Sequence, residues 1–241
     1  MERLFARVSG KDVLFSSLDE HHLVDVLRVK IGTTLEVSDE GNLYLAQVSS
    51  LKPLKIEIQK EIKRDSELKA HLCLAFALLK GGHDELVLQK GTELGVAEFY
   101  PFISERTIVR LPSKKEQDKR NERFNLIVKG AAEQSKRLSI PEVHPILSFK
   151  ELLLLKAPHR LFAYEGNSDE TSSLPYELSQ VKEGERVIGV IGPEGGFSPL
   201  EVKLAKESNY TFVGLGKRIL RAETASIYLA SIFGYVEEMK R

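Results

Sequence analysis

The sequence predicts an α/β protein in which a small β-rich domain precedes a larger domain built on a parallel sheet. Over residues 1–68, short alternating segments are separated by turn signals such as Ser9-Gly10 and Glu40-Gly41-Asn42, a pattern typical of a small β-barrel or sandwich. Over residues 69–241, apolar strands alternate with helices, which favours a largely parallel sheet. These two patterns place the domain boundary after residue 68.

The N-terminal domain is predicted to combine short strands with a single helix. Leu23, Val26 and Leu27 form an apolar stripe in the helix predicted over Asp19–Leu27. The charged stretch 60–69 would then link the two domains. The predicted strands are Arg3–Val8, Asp12–Phe15, Thr34–Ser38, Tyr44–Ser50 and Lys55–Lys60.

The C-terminal domain has strongly apolar strands and helices with recognisable ends. His71–Leu79 lacks polar alternation, as expected for a strand that is covered on both faces. Ser198 is a predicted N-cap, with Pro199 at the first helical position and Glu201 closing a capping box. The other predicted strands are Glu98–Ile103, Arg160–Tyr164, Arg186–Ile191 and Tyr210–Leu215. Further helices are predicted over Asp84–Leu94, Lys115–Leu138 and Thr224–Lys240.

The last predicted helix, Thr224–Lys240, is apolar on nearly all sides before Glu237. A helix of this kind must be buried, either between layers of its own chain or between subunits.

Composition and charge indicate which classes of protein are excluded. The start of the chain does not resemble a signal peptide, and no apolar run is long enough to span a bilayer, so we expect a soluble protein. The single cysteine, Cys73, lies in an apolar run and is most simply a buried thiol in a cytoplasmic protein. The formal net charge is zero, yet residues 104–137 hold ten basic and five acidic side chains. That stretch could bind a polyanion, or it could be an ordinary solvated helix face.

Two glycine-bearing loops are the most informative feature for function. Gly192–Phe197 follows one apolar strand, and Gly216–Ala225 follows the next strand in the C-terminal part of the sequence. Turns at the carboxyl ends of parallel strands expose backbone amides and carbonyls to small ligands. The loops therefore predict a cofactor pocket, although the same glycines could be ordinary turn formers.

Several common sites are poorly supported. The glycine order differs from the Gly-x-Gly-x-x-Gly of dinucleotide-binding folds, and the Lys-Ser/Thr of a phosphate-binding P-loop is missing. No metal-ligand spacing is present, so we predict no metal, and His21-His22 look structural. No Gly-x-Ser-x-Gly elbow indicates a hydrolase.

The two loop sequences, Gly-Pro-Glu-Gly-Gly-Phe at 192–197 and Leu-Gly-Lys-Arg-Ile-Leu-Arg-Ala-Glu-Thr-Ala at 215–225, resemble the signature of one methyltransferase family. This is the SPOUT-superfamily family of bacterial 16S ribosomal RNA (uridine-N3)-methyltransferases. The resemblance extends to the segments 80–96, 132–141 and 21–28, and so to nearly the whole chain. Ala222 departs from the pattern, in which Thr or Ser is more frequent.

The resemblance implies an architecture and a set of partners. The C-terminal domain would be a SPOUT-like parallel sheet with a C-terminal trefoil knot, and the N-terminal domain a PUA-like, RNA-binding β-barrel. The methyl donor would be S-adenosyl-L-methionine, and the substrate 16S ribosomal RNA or the small ribosomal subunit. The enzyme would be a homodimer in which the last helix packs against its partner.

Methylation of uridine N3 requires loss of the imide proton, because the neutral N–H has no free lone pair. Arg221 and Arg137 are candidates for holding the uracil carbonyl or an adjoining phosphate. An ion pair with Glu223 or Glu194 is the competing role for Arg221, and a solvent-facing helix end is that for Arg137. Glu194 and Glu223 are also the candidates for a general base, with a purely electrostatic or helix-capping role as the alternative.

The remaining candidates bind the cofactor or the RNA. Cofactor contacts are expected from Gly192, Pro193, Glu194, Gly195, Gly196, Leu215, Gly216, Ile219, Leu220, Ala222, Thr224 and Ala225. RNA contacts are expected from Arg3, Arg7, Arg28, Arg106, Arg110, Lys136 and Arg137, although each could be an ordinary surface charge.

Two alternative functions stay open from the sequence. One is a catalytically silent RNA-binding or ribosome-assembly factor that has kept the scaffold. The other is a methyltransferase that acts on another RNA site or another base atom.

Overall fold

The structure, a computed structural model, describes residues 1–64, 66–111, 113–166 and 171–240. Residue 241, the predicted end of the second domain, lies outside these ranges. The chain divides into two compact units, one formed by Met1–Glu67 with Lys129–Ile140 and the other by Leu68–Val128 with Pro141–Arg241.

The first unit contains a six-stranded sheet with the order β1-β4-β5-β6-β3-β2. Its strands are β1 (Arg3–Phe5), β2 (Arg7–Ser9), β3 (Asp12–Leu14), β4 (Thr34–Asp39), β5 (Asn42–Leu51) and β6 (Leu54–Ile62). The pairing of β1 with β4 is parallel, and the other pairings are antiparallel. Leu35, Val37, Ala46, Val48 and Ile56 form the centre of the apolar core.

The N-terminal prediction differs from the structure in two details. The strand predicted over Arg3–Val8 is two strands, because the chain changes partner from β4 to β3 at Ala6. The predicted helix Asp19–Leu27 consists of α1 (Ser17–His21) and a π-helical segment (His22–Val26).

The second unit is built on a parallel sheet, as the sequence predicts. Its strands are β7 (His71–Ala77), β8 (Glu98–Ile103), β9 (Glu142–Val143), β10 (Leu147–Ser148), β11 (His159–Ala163), β12 (Ser172–Ser173), β13 (Arg186–Ile191) and β14 (Thr211–Gly214). Their order is β10-β8-β7-β13-β11-β14-β12, and β9 pairs with β8. All these pairings are parallel.

Helices cover both faces of this sheet, so its central strands are buried on either side. The helices are α2 (His83–Glu93), α3 (Lys114–Ser135), α4 (Phe149–Leu153), α5 (Leu174–Ser179), α6 (Pro199–Glu207) and α7 (Ala222–Met239). From β7, Leu72, Leu74 and Phe76 enter one apolar cluster, and Cys73 enters the other. Cys73 is fully buried, and burial together with the nearby Glu98 carboxylate raises the pKa of its thiol to about 12.

The ends of α6 and the packing of α7 follow from their sequences. The Ser198 side chain accepts the Glu201 N–H at 3.3 Å, and the Glu201 carboxylate accepts the Ser198 N–H at 2.9 Å, which is the predicted capping box. On α7, Leu229 and Phe233 are buried in the sheet-facing core, whereas Tyr235 is 65% exposed. One face of α7 is therefore buried within the unit and another reaches solvent. None of the described helices is both long enough and apolar enough to cross a membrane.

Candidate active site

The two glycine loops lie at the same edge of the parallel sheet, because they follow the carboxyl ends of β13 and β14. The sequence suggests neighbouring strands, but β11 lies between them: Leu161 is in register with Gly189 of β13 and with Thr211 of β14. Two strand spacings of roughly 5 Å separate the strands that lead into the loops. A ligand held by both loops would therefore lie across the end of β11.

The first loop, residues 192–197, is fixed by an aromatic anchor. The Phe197 ring lies 4.2 Å from the Phe162 ring, centroid to centroid, and parallel to the ring of Phe102. A Cβ atom on Gly192 would stand 2.8 Å from the Phe197 ring carbons, so glycine is required for this close approach. The Gly196 N–H closes the turn on the Pro193 carbonyl at 2.9 Å.

Two polar contacts from outside the loop complete its support. The Arg106 guanidinium donates to the Gly195 carbonyl at 3.0 Å. The Glu194 carboxylate accepts the Lys80 N–H at 3.2 Å, which joins the loop to the carboxyl end of β7. Arg106, expected to contact RNA phosphate, therefore also supports the cofactor loop.

The second loop leaves its backbone open. Within the described ranges, the backbone N–H and C=O groups of residues 216–220 have no hydrogen-bond partner in the protein. Residues 216–219 are exposed, and the apolar Ile219 side chain is 85% exposed. The loop ends at Arg221, whose carbonyl accepts the Ala225 N–H at 2.8 Å as α7 begins. Unpaired backbone groups beside an exposed apolar side chain are what a small ligand can cover.

The charged candidates beside this loop have different surroundings. Glu223 is 8% exposed and pairs with His83 at 3.3 Å, whereas Glu194 is exposed. Arg221 is exposed too, and neither Glu194 nor Glu223 nor any other described residue pairs with its guanidinium. The ion pair considered as a competing role for Arg221 is therefore absent from the described chain.

Arg137 and Arg3 are buried in the first unit. The Arg137 side chain donates to the Glu67 carboxylate, with the Nε atom 3.0 Å from Oε2. Burial alone would raise the pKa of Glu67, but the hydrogen bond and charge of Arg137 outweigh it and lower that pKa. The Arg3 guanidinium bonds Glu36 at 2.8 Å and the Arg137 carbonyl at 2.7 Å, with no solvent exposure of its side chain. The expected phosphate contact of Arg3 does not agree with this burial, and Arg137 is neither solvent-facing nor free.

The other RNA-contact candidates are more accessible. Arg7, Arg28 and Arg110 are exposed, with the Arg110 side chain bonded to the Thr107 carbonyl at 2.7 Å. Lys136 is partly buried, and its ammonium bonds the Met1 carbonyl at 2.7 Å.

His83 is the residue at this edge that sequence reasoning missed. It pairs with Glu223 although the two are far apart in the sequence, and its imidazole packs against Gly81. Its position directly after Lys80-Gly81-Gly82 was the available signal, because those residues belong to the segment that resembles the methyltransferase family.

A group that could hold a metal ion lies at the start of β8, where ligand atoms of Glu98, Glu142 and His144 are within 4.8 Å of one another. Glu98 already accepts hydrogen bonds from Tyr100, His144 and Arg186. Glu98 of this group is therefore already held by internal hydrogen bonds.

Comparison with known proteins identifies the family. Residues 66–234 match the RNA methyltransferase domain family, and residues 21–61 match the RNA methyltransferase PUA domain family. A curated relative from Bacillus subtilis, named ribosomal RNA small subunit methyltransferase E, is 35% identical over 254 aligned residues that cover 100% of this chain and 99% of the relative.

Two solved structures have the same fold over nearly their full length. A ribosomal RNA small subunit methyltransferase E from Neisseria gonorrhoeae, bound to S-adenosylmethionine, is 30% identical with a TM-score of 0.84 and 96% coverage of each chain. A putative methyltransferase from Legionella pneumophila, also in complex with this cofactor, is 28% identical with a TM-score of 0.86 and the same coverage. The predicted resemblance is thus confirmed, and the chain belongs to the RNA methyltransferase family that includes the ribosomal RNA small subunit methyltransferases E.

Proposed function

We propose that this methyltransferase transfers a methyl group from S-adenosylmethionine to N3 of a specific uridine in 16S ribosomal RNA. The observation that carries the proposal is the open backbone of residues 216–220 beside the anchored loop 192–197. Family membership supports the reaction class, and the names of the relatives support ribosomal RNA of the small subunit as substrate. The N3 position rests on the motif resemblance.

The loops fit the methyl donor. Backbone groups of 192–196 and 215–220 would bind its adenine and ribose, and Ile219 and Leu220 offer apolar contact to the purine. The remaining cofactor contacts would come from the start of α7, at Ala222, Thr224 and Ala225. When bound, the sulfonium supplies a methyl group that reacts with a nucleophilic nitrogen.

The protein's own task is to place the uridine and stabilise its anion. Correct alignment can contribute ~7–11 kcal/mol to lowering the barrier. Arg221, exposed and without a partner among the described residues, would donate hydrogen bonds to a uracil carbonyl, and one such donor contributes roughly 3–4 kcal/mol. Glu194 is the more accessible candidate for the base that removes the N3 proton, because Glu223 is buried against His83.

RNA binding would be shared between the domains, with residues 1–68 as the RNA-binding module and 69–241 as the methyltransferase module. Arg7, Arg28, Arg106 and Arg110 are exposed and can approach phosphates without breaking an ion pair to another described residue. Arg137 would have to leave Glu67 before it could contact RNA.

The assembly and location follow from the same family resemblance. We propose a C-terminal trefoil knot and a cytoplasmic homodimer in which α7 packs against the partner subunit. Tyr228, Tyr235 and Met239 support this, because they leave a partly exposed apolar face on α7. A cytoplasmic enzyme would meet the ribosomal subunits that carry its substrate.

The reaction is tested by incubating the purified protein with S-adenosylmethionine and small subunits from a strain that lacks the homologous enzyme. Mass spectrometry of the RNA nucleosides should then show N3-methyluridine in 16S RNA. Methylation of another atom or another RNA would contradict the assigned product. A folded protein that fails to bind S-adenosylmethionine at millimolar concentration would instead be a silent RNA-binding factor.

A further inference from the structure

A cavity of about 340 Å³ lies at the carboxyl end of β7, beside the proposed methyl-transfer site. Its walls are the segment 79–82, the first turn of α2 and one face of α3. The volume lies within the range of small-ligand pockets. Neither the cofactor loops nor the RNA contacts predicted from the sequence account for this cavity.

Three basic side chains line the cavity: Lys80, Arg120 and Arg123. Arg120 is held by an ion pair with the buried Asp84 and lies over the Phe124 ring, with its guanidinium carbon 5.5 Å from the ring centroid. The Arg120 guanidinium is therefore held in a fixed position above an apolar floor.

Arg123 and Lys80 keep donors available at the opening. Arg123 pairs with Glu85 at 2.7 Å, but its side chain is 67% exposed and a guanidinium has five N–H donors. The Lys80 ammonium is exposed and has no partner among the residues that the structure describes. Asp84 and Glu85 pair with the two arginines, so Lys80 is the basic side chain of the cavity that has no ion pair among the described residues.

A glycine turn at the cavity leads into helix α2. Gly81 and Gly82 have φ angles of +65° and +79°, which glycine adopts without strain, and Gly82 is an N-cap without a capping side chain. In the first turn of the 11-residue helix α2, the Asp84 carboxylate accepts the Glu85 N–H at 2.9 Å. The positive end of this helix is therefore already matched by its own acidic residues, and the basic side chains are what favour an anion in the cavity.

The cavity is directly joined to both loops of the proposed cofactor site. The Lys80 N–H bonds the Glu194 carboxylate at 3.2 Å, and His83 pairs with Glu223 at 3.3 Å. An anion in the cavity would therefore lie beside residues that contact both loops.

We propose that this cavity binds a phosphate group of the substrate RNA backbone, next to the uridine that is methylated. The inference rests on the proposed function and adds a substrate-positioning site to it. Guanidinium and ammonium groups bind phosphate with charge-assisted hydrogen bonds, and Arg123 can do so in a bidentate manner. Lys80 and Arg123 are positioning residues here, because they hold the strand and leave the reacting atoms to the loops.

The test compares Lys80→Gln and Arg123→Gln with Lys119→Gln, an exposed lysine on α3 that does not line the cavity. Each cavity variant should raise the Kd for an RNA that contains the target uridine by roughly tenfold. The slope of log K against log salt should become shallower by about 0.7–1. The Kd for S-adenosylmethionine should stay unchanged, and Lys119→Gln should bind RNA like the wild type.

Replacing single RNA phosphates by a neutral methylphosphonate linkage identifies the phosphate that the cavity binds. Placed beside the target uridine, it should weaken wild-type binding by a similar factor and weaken Lys80→Gln no further, because both changes remove one interaction. The inference is overturned if wild-type protein methylates the RNA while both cavity variants bind RNA like Lys119→Gln. Failure of wild-type methylation would overturn the proposed function instead. The Lys80 side chain loses no partner among the described residues, so its variant tests the inference even if Arg123→Gln fails to fold.

Discussion

In the C-terminal parallel sheet, the polar groups at the edge formed by the amino ends of the strands have protein partners, whereas those at the edge formed by the carboxyl ends are left open. At the amino edge, Glu98 accepts hydrogen bonds from Tyr100 at 2.7 Å and from His144 and Arg186 at 2.9 Å. At the carboxyl edge, within the described ranges, the backbone groups of residues 216–220 have no protein partner and Arg221 has no ion pair. The amino edge therefore stabilises the fold, whereas the carboxyl edge leaves polar groups available to a ligand, as expected for parallel α/β sheets.

The largest expected effect comes from Arg221→Ala at the carboxyl edge. Loss of a donor to the developing anion should lower kcat by about 100-fold or more, since one such donor contributes roughly 3 kcal/mol. RNA affinity should change much less. Steady-state kinetics with separate RNA-binding measurements checks this, and Arg218→Ala, an exposed arginine in the same loop, is the matched control. Equal loss of turnover and affinity would make Arg221 a binding residue.

Gly192→Ala should come second, because it moves the anchored loop. The added Cβ would stand 2.8 Å from the Phe197 ring, and overpacking of this kind costs ~1–3 kcal/mol. We expect S-adenosylmethionine to bind at least several-fold more weakly by calorimetry. Unchanged affinity in a folded variant would show that the loop does not form the cofactor site.

Glu98→Gln tests the opposite edge, where we expect lower stability and unchanged chemistry. The substitution weakens hydrogen bonds to partly buried partners, which should lower the free energy of unfolding by about 1–2 kcal/mol. Denaturant unfolding and kcat, measured on the same preparation, check both parts. A large loss of kcat with intact stability would contradict a purely structural role for the amino edge.

The same residue predicts a pH dependence. Burial would raise the pKa of Glu98, but hydrogen bonds from Tyr100 and His144 and the charge of Arg186 outweigh it, so the pKa is lowered. The lowered pKa adds stability above the ordinary carboxyl value of 4.5, and this part is lost as pH falls through the folded-state pKa. Glu98→Gln should therefore reduce the loss of stability below about pH 4.5. Part of the loss of stability at low pH will persist in this variant, because the pKa values of Glu67 and Asp19 are also lowered. Identical pH curves for both proteins would contradict the role of Glu98.

Gly130→Ala should have the smallest effect and serves as a reference for glycines outside the loops. Gly130 lies inside α3, and apart from its chain neighbours and the adjacent helix backbone no atom of a described residue lies within 4 Å of the position that its Cβ would occupy. Replacement by Ala should stabilise the protein by roughly 0.5–1 kcal/mol through helix propensity. Thermal unfolding measures this, and destabilisation would show that an exposed helical glycine has a hidden structural role.

Local features of the fold were predictable from the sequence because short-range rules determine them. The continuous apolar run of β7 predicts a strand covered on both faces, and Ser198-Pro199 with Glu201 predicts the start of α6. The two-residue strands β9, β10 and β12 have no such signal, since two residues carry no periodicity.

Strand order and contacts between distant segments could not be predicted from local sequence patterns. The insertion of β11 between β13 and β14 is a matter of strand order, which the spacing of motifs does not encode. Residues 129–140 cluster with the N-terminal unit because Lys129 pairs with Asp19 and Arg3 bonds the Arg137 carbonyl. The burial of Arg3 and Arg137 follows from those contacts, so neither could be distinguished in the sequence from an exposed, RNA-binding arginine.

The most direct test of the account is a crystal structure of this protein with S-adenosylmethionine. Its adenine and ribose should bond backbone atoms of residues 192–196 and 215–220, with the methyl group facing the side of Arg221. A cofactor bound at another place, with these two loops closed on each other, would contradict the proposed cofactor site.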